Sequence, residues 1–178
     1  EIPDFTGVLE AFQTLRAVLF ATMMEPIMQQ HRNKIAPEII GNIERGLNIT
    51  PPQIFEAERI RIELFKKILD FFETHDFLIC PAASIAPFPV DQRYVTEIDG
   101  KPCETYIDWF AITFALTMTA CPTISVPCGF TSEGLPVGFQ IMGKPRGEAA
   151  LLLVAKRFEQ AIGISAKLPI TPQKLKLI

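Results

Sequence analysis

An acyl-transfer centre needs a nucleophile, a base within hydrogen-bond reach of it, and donors aimed at the developing oxyanion. This chain holds residue types that could fill those roles, but never together. Its serines, Ser84, Ser125, Ser132 and Ser165, are isolated, and no Gly/Ser-rich run surrounds any of them. A lysine acts as a base only when burial or a neighbouring positive charge depresses its pKa. Lys66 and Lys67 stand instead in a charged stretch that reads as a solvated helix face. Cys80, Cys103, Cys121 and Cys128 form no C-x-x-C pair, and two lie in apolar runs, which favours reduced core thiols over a disulfide or a zinc site. His31 and His75 supply zinc poorly, and Glu25 and His31 share a helical face without forming an acid–base pair. Gly134, Gly138 and Gly143 match neither GxGxxG nor GxxxxGK, so they form no phosphate loop. The residues alone offer no catalytic group and no metal ligand set.

The bulk properties narrow the classes further. A length of 178 residues fits one domain of ordinary size, and a formal charge of −3 gives no argument for nucleic acid or an anionic membrane. Apolar residues make up 48% and the mean hydropathy is +0.24, high for an independent soluble domain. Either a well-packed α/β domain or a face that packs on a missing part explains that value. The uncharged run from Trp109 to Ser132 is long enough to raise a membrane span. Pro122, Pro127 and Gly129 interrupt it, so a buried helix followed by a buried strand fits better. No signal peptide is visible, and the expected location is the cytoplasm.

The elements that must position any site follow from periodicity. The apolar spacing predicts a helix over 4–32, capped by Asp4, burying Leu9, Phe12, Leu15, Leu19 and Met23, with Pro26 kinking or ending it. A shorter helix runs from Pro37 to Arg45 with Gly46 past its end. Thr50-Pro51-Pro52-Gln53 has the form of a capping box. The helix it starts, to about Thr74, buries Ala57, Ile60, Leu64, Ile68 and Phe71 and pairs Glu63 with Lys67. Phe77–Cys80 reads as a buried strand, 81–89 as a Pro-rich loop, and Tyr94–Ile98 as a strand turning at Asp99-Gly100. A buried helix spans 106–120. Two alternating segments joined at Thr131–Gly134 form a strand pair, with Ile124, Val126, Cys128 and Phe130 on one face of the first and Val137, Phe139 and Ile141 on one face of the second. Gly138, in mid-strand, marks a bulge or a close backbone approach. Gln140 reads as structural, bonding a loop backbone, and Arg146 as serving its turn. A helix over 148–162 ends on Gly163, and the tail from Ile164 reads as a loosely packed loop.

Several motifs then agree in order. PTISVPCGF (122–130), GLPVGFQIMG (134–143) and a helix-like run ending in FEQA (158–161) resemble the carboxy-terminal signature of the amidase signature family, serine hydrolases that cleave carboxamides. DFLICP (76–81) resembles the family strand written DxLLxP, and Leu47–Thr50 followed by a long charged helix is also typical. In that family the serine nucleophile lies in a Gly/Ser-rich segment, with a second serine on a cis peptide and a lysine base, all in the amino-terminal half. No such segment is found here. The resemblance therefore implies that residues 1–178 are a single domain, the carboxy-terminal portion of an amidase with the amino-terminal catalytic half absent, either a fragment or one chain of a split protein.

The fold implied is α/β, a mixed sheet flanked by helices. The function implied is serine-dependent hydrolysis of a carboxamide to an acid and ammonia or an amine, with no metal or organic cofactor, this chain supplying sheet and pocket wall. Members bring the loop after the DxLLxP strand and the start of the next apolar helix to the substrate. The resemblance thus assigns substrate contacts to Pro87, Trp109, Thr113 and Thr117. Each threonine has a plainer alternative, a hydroxyl bonded to a carbonyl one turn back, and Trp109 has the alternative of packing in a core or an interface. Thr117 stands where many members carry asparagine. The partners implied are the amino-terminal half and a small-molecule amide, without nucleic acid or membrane, and a homodimer is left open. Two rival readings stand: a non-catalytic interaction module on the same scaffold, and the amidase subunit of a transamidation complex.

Overall fold

The computed structural model describes residues 2–163, so the tail from Ile164, including Ser165, lies outside the described residues. Three helices form one layer: α1 (Val8–His31), α2 (Pro37–Leu47) and α3 (Pro51–Thr74). α1 starts later than the periodicity predicts, because Gly7, at φ 78°, takes the N-cap position in a left-handed conformation. Asp4 does not cap the helix. It accepts hydrogen bonds from Thr6 N and Oγ1 at 2.9 and 2.6 Å and from Lys67 Nζ at 2.6 Å. The Lys67 and Thr6 donors hold its carboxyl well below the usual carboxylate range. Lys67 therefore crosses to Asp4, and Glu63 pairs with Lys66 at 2.7 Å instead. Pro26 sits inside α1 without ending it.

The buried face of α1 is also not the predicted one. Val8, Ala11, Ala17 and Met28 are buried, Phe12 and Leu15 are partly so, and Leu9, Leu19 and Met23 are 47%, 53% and 63% exposed. The reason is the close approach of α2. A Cβ placed on Gly46 would lie 2.0 Å from the Ala17 carbonyl oxygen. Gly46 is thus a packing residue inside α2, which continues to Leu47, and not a terminator. Helices this close leave room only for small side chains at the contact, so the large ones turn outward. α3 follows expectation more closely. Thr50 and Gln53 form the capping box, with Thr50 N donating to Gln53 Oε1 at 2.8 Å. Ala57, Leu64, Ile68 and Phe72 are buried, with Ile60 and Phe71 partly so.

β1 (Phe77–Pro81), β4 (Thr123–Phe130) and β5 (Pro136–Gly143) form a three-stranded sheet in the order β1-β5-β4. The α/β expectation is met, and both pairings in this sheet are antiparallel. Gly138 is a close approach: a Cβ there would meet the Val126 carbonyl oxygen at 2.9 Å. The bulge lies on the facing strand, between Pro127 and Gly129, so Cys128 leaves the Ile124–Val126 face and Phe130 is 40% exposed. α5 (Glu148–Ile162), ended by Gly163 at φ 61°, covers Ile124, Val126, Phe139 and Ile141 with Leu151, Ala155 and Phe158. The other face, through Leu78, Cys80 and Met142, packs on α1 and α3.

Between β1 and β4 the chain makes a hairpin, β2 (Glu97–Ile98) and β3 (Lys101–Pro102), turning at Asp99-Gly100 as predicted but with a shorter first strand. The predicted helix over 106–120 is shorter too. A 3₁₀ turn (Asp108–Phe110) leads into α4 (Ala111–Thr117), and Ala120, at φ 55°, turns the chain into β4. Among the described residues no helix is long and apolar enough to cross a membrane.

Candidate functional site

The loop after β1, residues 82–88, is rich in alanine and proline and carries no ladder of its own. It is fixed from outside. Ala82 N donates to Gly138 O at 3.0 Å, Ser84 N to Trp109 O at 3.4 Å, and Thr113 Oγ1 to Ala82 O at 2.8 Å. Gln140 is 5% exposed on the central strand, and its amide must find a partner there. Its Nε2 donates to Pro81 O at 3.0 Å, so its partner is the last residue of β1 and not the loop that the sequence suggested.

Held this way, the loop closes one side of a cavity of about 600 Å³, with Pro87, Phe88, Trp109 and Val137 in its wall. Trp109 Nε1 donates to Tyr106 O at 3.1 Å, so the indole N–H is engaged. The ring meets Phe88 and Phe110 edge-on, with centroids 5.3 and 4.8 Å away. Among the described residues, none that lines the cavity is charged. Such a wall suits an apolar or aromatic group, with ring edges and faces offered in the usual offset geometry.

The structure brings Pro87 and Trp109 to one wall. Thr113 stands behind that wall. Its hydroxyl neither points to the cavity nor bonds one turn back, but crosses to the loop at Ala82. Thr117 does bond one turn back, Oγ1 to Phe114 O at 2.7 Å, and does not line the cavity. Phe88, which the sequence reading passed over, is the aromatic partner of Trp109. Its signal was present: an aromatic residue between prolines, in a loop with no core of its own. Thr113→Val keeps the shape and leaves Ala82 O without its donor. The expected loss is about 1–2 kcal/mol, read as a lower denaturant midpoint. An unchanged midpoint would show that the loop is held without that bond.

Cys80, Cys121 and His75 are engaged in packing. Burial pushes the Cys80 and Cys121 thiols up, which keeps them protonated and unreactive. Among the described residues no hydrogen bond joins a lysine to a serine, and no group of three His, Cys, Asp or Glu side chains could hold a metal ion. His75 closes α3, stacked on Phe71 with centroids 4.2 Å apart and Nδ1 3.1 Å from Phe71 O.

Known proteins add a second line. A family model described as Amidase matches residues 6–152. A glutamyl-tRNA(Gln) amidotransferase subunit from Alkaliphilus metalliredigens is 26% identical over 166 residues, which cover 86% of this chain and 31% of that relative. An acylamidase of Rhodococcus erythropolis is 29% identical over 132 residues, covering 74% of this chain and 28% of the relative. The crystal structure of a bacterial aryl acylamidase of the amidase signature enzymes family superposes with a TM-score of 0.77 at 22% identity, over 94% of this chain and 37% of that one. The chain spans about a third of the length of the curated relatives it matches.

Proposed function

The chain belongs to the amidase signature family, and from that premise we propose that it is the carboxy-terminal wall of an enzyme that hydrolyses a carboxamide to an acid and ammonia or an amine. The observation that carries this reading is the uncharged aromatic cavity closed by the tethered 82–88 loop. In the proposed reaction a serine outside this chain attacks the amide carbon, the amine leaves with a proton, and water releases the acid from the acyl-enzyme. Pro87, Phe88 and Trp109 hold the apolar part of the substrate, and Thr113 positions the loop. Thr117 has its hydroxyl engaged at Phe114 O and does not line this cavity, so it is given no contact with the apolar group. The reaction needs no metal or organic cofactor, and its proposed setting is the cytoplasm. The remaining partner is the amino-terminal part of the enzyme.

The uncharged wall also bears on the transamidation reading. Glutamine is a zwitterion, and the described wall offers its ammonium and carboxylate no charged partner. The test is a panel of amides with the full-length protein: an anilide, an aliphatic amide and glutamine. Turnover of the anilide should exceed that of glutamine by about tenfold or more, the scale on which apolar pockets discriminate. Preferred turnover of glutamine would favour the transamidation reading. Binding of the anilide without turnover of any amide would sink the hydrolase reading and leave an interaction module.

A further inference from the structure

A separate cavity of about 320 Å³ opens where α1 and α2 meet the segment from Tyr94 to Tyr106. Its lining is polar. Gln13 and Arg16 share one face of α1, and Asn42 and Arg45 share one face of α2. Gly46 stands one turn beyond Asn42, so the tight α1–α2 contact holds Asn42 at the seam. Gln13 and Asn42 are both buried, at 7% and 8% exposure. The Gln13 amide is satisfied, because its Nε2 donates to Thr105 Oγ1 at 3.1 Å. The Asn42 amide is not. Among the described residues, its Nδ2 is the one buried side-chain nitrogen or oxygen without a hydrogen-bond partner. Such a donor costs stability while it stays unpaired, so its retention calls for a cause.

The charges around it supply one. Glu38 is already paired with Arg93 at 2.7 Å, and Glu104 is exposed. Arg16 and Arg45 have no carboxylate partner among the described residues. Arg16 is half-buried, donates to Tyr106 Oη, and lies over the Phe20 and Tyr106 rings, 4.7 and 5.3 Å from their centroids. A phenol oxygen occupies one guanidinium donor and returns no negative charge. Tyr94 meets Tyr106 edge-on, with centroids 6.3 Å apart, and adds an aromatic side to the cavity. We propose that this cavity binds a small monocarboxylate. Its oxygens accept from Arg16, Arg45 and the Asn42 amide, which turns to meet them, and its apolar part lies against Tyr94 and Tyr106. A planar, singly charged group suits a planar guanidinium and a planar amide. A phosphate would bring more negative charge against Glu38 and Glu104. No residue lines both this cavity and the one beside Trp109. The inference goes beyond the hydrolysis proposal and is tested by binding without turnover, so either can fail alone.

The experiment titrates benzoate into the full-length protein by calorimetry, with benzyl alcohol, an uncharged counterpart, and inorganic phosphate as comparisons. Benzoate should bind about tenfold or more tightly than either, the scale of a hydrogen bond to a charged group. Arg16→Gln and Asn42→Leu should each weaken it about tenfold or more, and Phe88→Ala, in the other cavity, should leave it unchanged. Asn42→Leu also removes the unpaired donor at nearly constant size. Without benzoate, its unfolding midpoint should therefore equal or exceed that of the unmodified protein. A midpoint that falls would show the amide bonded within the full-length protein and would overturn the proposal. So would tighter binding of phosphate, an absence of benzoate binding, or a loss of binding in Phe88→Ala alone, which would put benzoate in the amide cavity. If Arg16→Gln fails to fold, Asn42→Leu decides.

Discussion

Gly46→Ala should destabilise the protein by about 3 kcal/mol or more, the upper range for overpacking a tight contact. The added Cβ would sit 2.0 Å from the Ala17 carbonyl oxygen, 2.6 Å from its carbon and 2.8 Å from the Ala21 Cβ. Two of those three atoms are backbone, so no rotamer change can relieve the clash. Relief requires α1 and α2 to move apart, and that unpacks Ala17 and Ile43, both fully buried. Gly41→Ala is the built-in control. It lies in the same helix with nothing within 4 Å of the added Cβ, and it should stabilise by roughly 0.5–1 kcal/mol through helix propensity. Denaturant midpoints of the two variants should therefore move in opposite directions. Equal and small shifts would mean that α1 and α2 do not touch at Gly46.

Trp109→Ala should lower kcat/KM of the full-length protein for an anilide by about 30- to 100-fold, the effect of losing a buried aromatic anchor of about 2–3 kcal/mol. The loss should fall mainly on KM, because the ring meets the apolar group in the ground and transition states alike. Trp109→Phe should restore most of it, since the indole N–H is engaged at Tyr106 O and is not offered to a ligand. The competing role, packing alone, predicts something different: a lower melting temperature with kcat/KM reduced equally for the anilide and for a short aliphatic amide. Steady-state kinetics on both substrates, with a melting curve for each variant, separates the two.

The sequence was readable wherever local chemistry decides the outcome. The Thr50–Gln53 capping box, the Gly163 terminus of α5 and the Asp99-Gly100 turn are each set within a few residues. It was unreadable wherever a distant element decides. The periodicity of α1 selects a leucine–methionine stripe, but the approach of α2 through Gly46 reverses the choice. Asp4 looks like a cap until Lys67, far along the chain, reaches it. Thr113 and Thr117 have the same spacing and the same side chain, yet only Thr117 bonds locally, because only Thr113 has a loop carbonyl within reach. Motif order picked out Pro87 and Trp109, which share one wall, but passed over Phe88 and the tethering of the loop.

That tethering has a thermodynamic meaning. The loop from Ala82 to Phe88 has one bond to the central strand, another to α4 and a third to the Trp109 carbonyl, and the Gln140 amide holds Pro81, the strand residue that leads into it. Ordering a mobile wall would cost about 0.5–1.5 kcal/mol for every flexible side chain fixed on binding. A wall already fixed asks for little of that. The corollary is intolerance: a cavity that does not reshape itself selects by size, and a bulky amide should be excluded outright where a softer pocket would accept it weakly.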